Sequence, residues 1–153
     1  MRGKIAAIAL VGVLVAGCQT TSNEPLPSNS FTFNSSKQVA KEAIVSTYMS
    51  RGFNIVRDSD LQLVMDRPAS DNFGAQLVFG SNWNSVPNAR ITATLLGDNP
   101  TNITVRQAIV TNPGTGFERV MDLSQNPSAR QQLQIGMSRA KSMAESTANA
   151  SSS

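Results

Sequence analysis

The sequence predicts an α+β fold: an antiparallel β-meander of about five strands with two amphipathic helices packed on one face. Three observations point to it. Several short segments alternate apolar and polar residues with period two, the mark of strands with one buried face. The connections between them are short and dense in turn formers, which pairs neighbours antiparallel because parallel pairing needs a long crossover. One helical pattern precedes the strand run and another follows it, so two apolar stripes are available to cover the exposed sheet face.

The elements follow in order. Phe31-Thr32-Phe33 opens as a short strand. Ser35 or Ser36 then caps a helix over KQVAKEAIVSTYMSR, where Ala40, Ala43, Ile44, Thr47 and Tyr48 fall on one face. Gly52 stops it as a left-handed cap, across which Phe53 can fold back onto Tyr48. FNIVR and LQLVMD form a hairpin around Asp58-Ser59-Asp60, with Phe53 and Ile55 facing one way, as do Leu61, Leu63 and Met65, on what one-sided alternation makes the buried face. Pro68 ends that strand. AQLVFG, ARITATLL and NITVRQAIV alternate in turn, separated by GSNWNSVPN and GDNPTN. Asn112-Pro113-Gly114-Thr115-Gly116 turns the chain into FERVMDL. Asn126 and Pro127 start the second helix, with Asn as cap and Pro at the first helical position. Its apolar stripe is Leu133, Met137, Ala140 and Ala144.

Four regions result: a leader over 1–17, a tether over 18–30, one domain over 31–145, and a small polar tail over 146–153 expected to fray. The leader begins with Arg2 and Lys4 and continues as an uncharged apolar run from Ile5 to Gly17. That run is too short to span a bilayer, which takes about 20 apolar residues, and has the parts of a secretory signal. Val15-Ala16-Gly17-Cys18 resembles the lipobox of bacterial lipoproteins. The resemblance implies cleavage between Gly17 and Cys18 and lipidation of Cys18. Gln19, rather than Asp, follows the cysteine, which by that family's sorting convention implies the outer membrane, with the domain facing the periplasm. More than one acyl chain anchors a protein stably, at about 0.8 kcal/mol per buried methylene. An ordinary secretory signal is the plainer alternative. The polar stretch after Cys18 spans at most ~40 Å when extended. The order of strand, helix, meander and closing helix is similar to the helix-grip folds of some envelope lipoproteins, a likeness of element order that carries no function.

Charge and composition narrow the function classes. Of thirteen Lys and Arg, two precede Cys18, and all ten acids follow it, leaving eleven bases against ten acids, or +1. No basic run survives and aromatics are sparse, so nucleic-acid binding lacks both its charge footprint and its stacking platform. The chain has no histidine and one cysteine. That excludes a Ser-His-Asp or Cys-His nucleophile pair and a His/Cys zinc set. There is no Gly-rich phosphate loop, and no cofactor or metal is expected.

Carboxylates remain. Asp58 and Asp60 sit at a hairpin tip, where Asp bonds its own backbone; Asp66 and Asp71 flank Arg67-Pro68. A pair hydrolysing glycosides must face each other across a cleft. Two loops offer interaction sites. Trp83 is the only tryptophan and has polar neighbours; it either anchors a partner or folds back over the sheet edge. Asn112, Gly114 and Phe117 lie in a loop that either presents backbone N–H groups to a ligand or is only a turn. The expectation is a non-enzymatic, outer-membrane-anchored lipoprotein that binds an envelope protein. One alternative is a carrier of lipid or another small apolar ligand between sheet and helices. The other, ranked last, is a carboxylate-based hydrolase of cell-wall glycans.

Overall fold

The computed structural model describes residues 29–69 and 86–150. In order these form β1 (Ser30–Phe33), α1 (Lys37–Met49), β2 (Asn54–Asp58), β3 (Gln62–Pro68), β4 (Asn88–Leu96), β5 (Thr101–Thr111), β6 (Arg119–Asp122) and α2 (Pro127–Ala150). The expected strand over AQLVFG lies outside the described residues.

Strands β2 to β6 pair in chain order, each antiparallel to the next, so the meander is present as expected. β4 occupies the whole of one edge of β5, from Asn88↔Val110 to Leu96↔Asn102. The other edge is shared. β1 pairs with its first residues (Ser30↔Thr104 to Phe33↔Thr101) and β6 with its last (Ala108↔Asp122 to Thr111↔Arg119).

Period two assigns the faces. On β5, Ile103 and Val105 are buried while Asn102, Thr104 and Arg106 are exposed. Leu63 and Met65 of β3, and Ile91, Ala93 and Leu95 of β4, bury the same side. Both helices pack there and close one core with Phe33, Ile44, Leu133 and Met137. Each such large side chain taken fully from water stabilises the fold by about 2 kcal/mol.

Local signals fix the helix ends. Ser36, in extended conformation, caps α1 by accepting from the Val39 N–H at 3.4 Å. At the other end Gly52 has φ +82°. The Phe53 N–H reaches the Tyr48 carbonyl and the Gly52 N–H reaches that of Met49, the nested pair of a Schellman stop. Phe53 thereby returns to Tyr48, edge to face at 5.5 Å between ring centres, as the sequence predicts. Asn126 caps α2 through its side-chain oxygen and the Ala129 N–H.

Three expectations need correction. Leu61 is 51% exposed because it belongs to the β2–β3 turn, where its carbonyl accepts from the Leu95 N–H. Ile55 pairs with the buried Met65 yet is 44% exposed, because β2 is the edge strand. The helix that was expected to give way to a frayed tail at 146 runs on to Ala150. Its last turns are anchored by the buried Ala144 and by Glu145, which accepts from the Asn34 N–H at 3.0 Å.

Candidate ligand cleft

Cys18, Gly17, Trp83 and Asp71 lie outside the described residues. Asn112, Gly114 and Phe117 do fall together, in the β5–β6 loop, but their backbone is bonded within the loop. The Gly114 N–H donates to Glu118 at 2.9 Å, and the Phe117 N–H to the Thr115 hydroxyl at 3.2 Å. The Asn112 carbonyl accepts from both the N–H and the hydroxyl of Thr115. Asn112 and Gly114 hold the positive φ angles this tight turn requires, +49° and +75°. The Phe117 ring is 81% exposed and presents apolar surface to solvent.

The hairpin-tip acids act differently from the expectation. Asp58 pairs with Lys41 at 2.7 Å and Asp60 with Lys37 at 2.8 Å, tying α1 to the β2–β3 tip. It is Ser59 that bonds the turn backbone. The Lys37 hydrogen bond holds the Asp60 carboxyl below its usual range.

Two acids do converge, on the sheet face away from the helices. Register places Asp66 directly opposite Arg90. Arg90 grips both Asp66 oxygens at 2.8 Å and reaches Glu118 at 2.8 Å with its remaining nitrogen. The Gly114 N–H, then Arg90, hold Glu118 below the usual carboxylate range. A glycosidase acid needs the opposite shift, so this trio reads as a clamp for the 112–118 loop. Among the described residues no group of three or more His, Cys, Asp or Glu could hold a metal ion.

A different place gathers unused polar groups. Between the sheet and the helices lies a cleft of about 600 Å³. Phe53, Ile91, Ile109 and Leu123 give it apolar walls; Tyr48, Arg51, Arg67, Gln107 and Gln132 give it polar ones. Its centre is a four-membered stack. Tyr48 and Phe53 meet edge to face; the Arg51 guanidinium lies 5.7 Å from the Tyr48 ring centre and that of Arg67 lies 5.2 Å from the Phe53 ring centre. Arg67 also donates to the Arg51 carbonyl at 3.3 Å, just past the end of α1, where helix carbonyls favour a cation.

The stack is built locally. The Schellman stop brings Phe53 and Arg51 around Tyr48, and Arg67 arrives on the inner face of β3, two residues beyond Met65 and four beyond Leu63. α2 packs on the stack at Gly136, where a β-carbon would lie 2.6 Å from the Tyr48 hydroxyl and 3.0 Å from Arg51 Nη1. Burial of Tyr48 pushes its pKa up to about 12, slightly opposed by Arg51, so the hydroxyl is a fixed donor at neutral pH. That hydroxyl and Arg67 Nε are buried with no hydrogen-bond partner among the described residues.

Sequence reasoning predicted the Tyr48–Phe53 contact but missed both arginines. The signal was present: in LQLVMDR the core-facing positions Leu63 and Met65 continue to Arg67, a charge on a buried face. No protein-family model matches the chain, nor does any curated protein.

Proposed function

We propose that the protein is a non-catalytic binding module of the bacterial cell envelope. In this reading acyl chains on Cys18 anchor it in the outer membrane, and its domain receives a small molecule between the sheet and the helices. The observation that carries the reading is the cleft itself, about 600 Å³ with apolar walls and a few convergent polar groups. Small-molecule sites have this size and make-up, roughly 300–1,000 Å³. The basic, apolar and cysteine-ended pattern of residues 2–18 supports the anchor, and among the described residues no helix is long and apolar enough to cross a membrane. The absence of histidine from the chain supports binding rather than acid–base chemistry.

The test is native mass spectrometry of the full-length protein released from its own envelope. Each chain should carry an acylated N-terminus, lost in Cys18→Ala, and one further small molecule held non-covalently. Recovery of empty chains would remove the cleft reading, and unchanged acylation in Cys18→Ala would remove the anchor. A second reading, docking to an envelope protein, is favoured by one observation: Phe117 and Val120 expose apolar surface side by side at the β5–β6 corner.

A further inference from the structure

Resting on that reading of the cleft, we infer that its polar end is an oxyanion receptor. Arg51, Arg67 and the Tyr48 hydroxyl bind the carboxylate or phosphate head of an amphipathic ligand, whose apolar part lies against Ile91, Ile109 and Leu123.

The argument is one of unmatched donors. Among the described residues the cleft's lining includes two guanidinium groups and no acid. Other arginines in the fold are matched or wet. Arg90 pairs with Asp66 and Glu118, Arg106 with Asp122, and Arg130 with the Ser124 carbonyl and Gln125. Arg57, Arg119 and Arg139 are exposed to water. Arg51 and Arg67 are half-buried, and among the described residues neither meets a carboxylate.

A buried donor left without an acceptor costs about 1–3 kcal/mol, more when charged. Arg67 Nε and the Tyr48 hydroxyl are two such donors, and the cleft lining carries the two positive charges of Arg51 and Arg67. An oxyanion supplies what all three groups lack, with charge-assisted bonds roughly twice as strong as neutral ones. The groups are also preorganised. Each guanidinium is stacked on a ring of the central pair. Gln107 and Gln132 add amide groups at the rim. Ligand with an acid at one end and apolar carbon behind it matches both the charge and the walls.

The experiment titrates the full-length protein in nanodiscs with hexanoate, hexyl phosphate and hexanol, read by ligand-observed NMR, with empty nanodiscs as reference. The two anions should bind at least about tenfold more tightly than hexanol. Arg51→Gln and Arg67→Gln should each bring the anions down towards the hexanol level, and Tyr48→Phe should weaken the anions while leaving hexanol unchanged. Thermal melts identify any variant that does not fold, and the remaining two still decide. Preference between hexanoate and hexyl phosphate tells a carboxylate source from a phosphate one. Equal binding of hexanol and the anions would overturn the oxyanion receptor but leave the cleft reading standing. Anion binding unchanged in both arginine variants would overturn the receptor by placing the anion elsewhere. No binding of any probe would overturn both.

Discussion

Gly136 of α2 packs directly against Tyr48 of α1. A β-carbon at 136 would sit 2.6 Å from the Tyr48 hydroxyl oxygen and 3.0 Å from its Cζ. The ring cannot swing clear easily, because it is 2% exposed and set edge-on to Phe53. Alanine would gain up to ~1 kcal/mol of helix propensity, against about 1–3 kcal/mol for overpacking. Gly136→Ala is therefore expected to destabilise the protein by about 1–2 kcal/mol in urea unfolding. Tyr48→Phe should be neutral or stabilising by up to ~1 kcal/mol, since it removes a buried hydroxyl without a partner, and it should recover part of the loss in the double variant. A more stable Gly136→Ala protein would show that the contact is not close. None of this was legible at Gly136. Helical spacing puts it beside Leu133 and Met137, but the atom above it comes from the other helix, and spacing within one element is silent about its neighbour.

At the scale of elements, the Arg90 clamp joins β3, β4 and the β5–β6 loop. Asp66 is nearly buried, so taking away its cation leaves a charge out of water. Arg90→Met is expected to cost roughly 3 kcal/mol. It should also raise hydrogen exchange at residues 112–118, whose Glu118 loses its tie to the sheet. Pairing Arg90→Met with Asp66→Leu should restore most of the stability, because the pair together is replaceable by apolar packing. An Arg90→Met protein as stable as wild type would mean the trio is ornamental. Here the sequence was half legible. Alternation put Asp66 on the face away from Leu63 and Met65, but placing it opposite Arg90 needs the β3–β4 register, which the pattern within one strand does not set. The hairpin-tip acids failed for a similar reason: local turn chemistry said backbone, while lysines from α1 supplied a stronger partner.

At alkaline pH the molecule responds through its only tyrosine. Tyr48 has its pKa raised from 10.0 to about 12 by burial. A group that holds its proton more tightly when folded contributes stability that is fully present below pH 10 and is lost as pH rises towards 12. The loss amounts to roughly 2–3 kcal/mol across that window. An ultraviolet titration of the folded protein should show a single phenol ionising near 12, or sharply at the point of alkaline unfolding. An inflection near 10 with the fold intact would show an open ring and remove the prediction. The overall architecture was the most legible level, since period-two runs, short turns and two capped helices all agreed. What they could not convey was the split edge of β5. Alternation tells which side chains face inward, not which strand lies alongside, so β1 and β6 sharing one edge emerged only in three dimensions.

That shared edge has a mechanical consequence. The chain enters the domain at β1, directly after Asn29, whose carbonyl accepts from the Val105 N–H. Tension applied anywhere upstream is therefore delivered first to four residues, Ser30–Phe33, and to the ladder joining them to Thr101–Thr104. β6 pairs with the other half of the same edge and β4 with the opposite edge, so neither is bonded to β1 and the load reaches them only through β5. β1 is thus the fuse of the fold: it yields before the meander does, and its release would draw Phe33 out of the core.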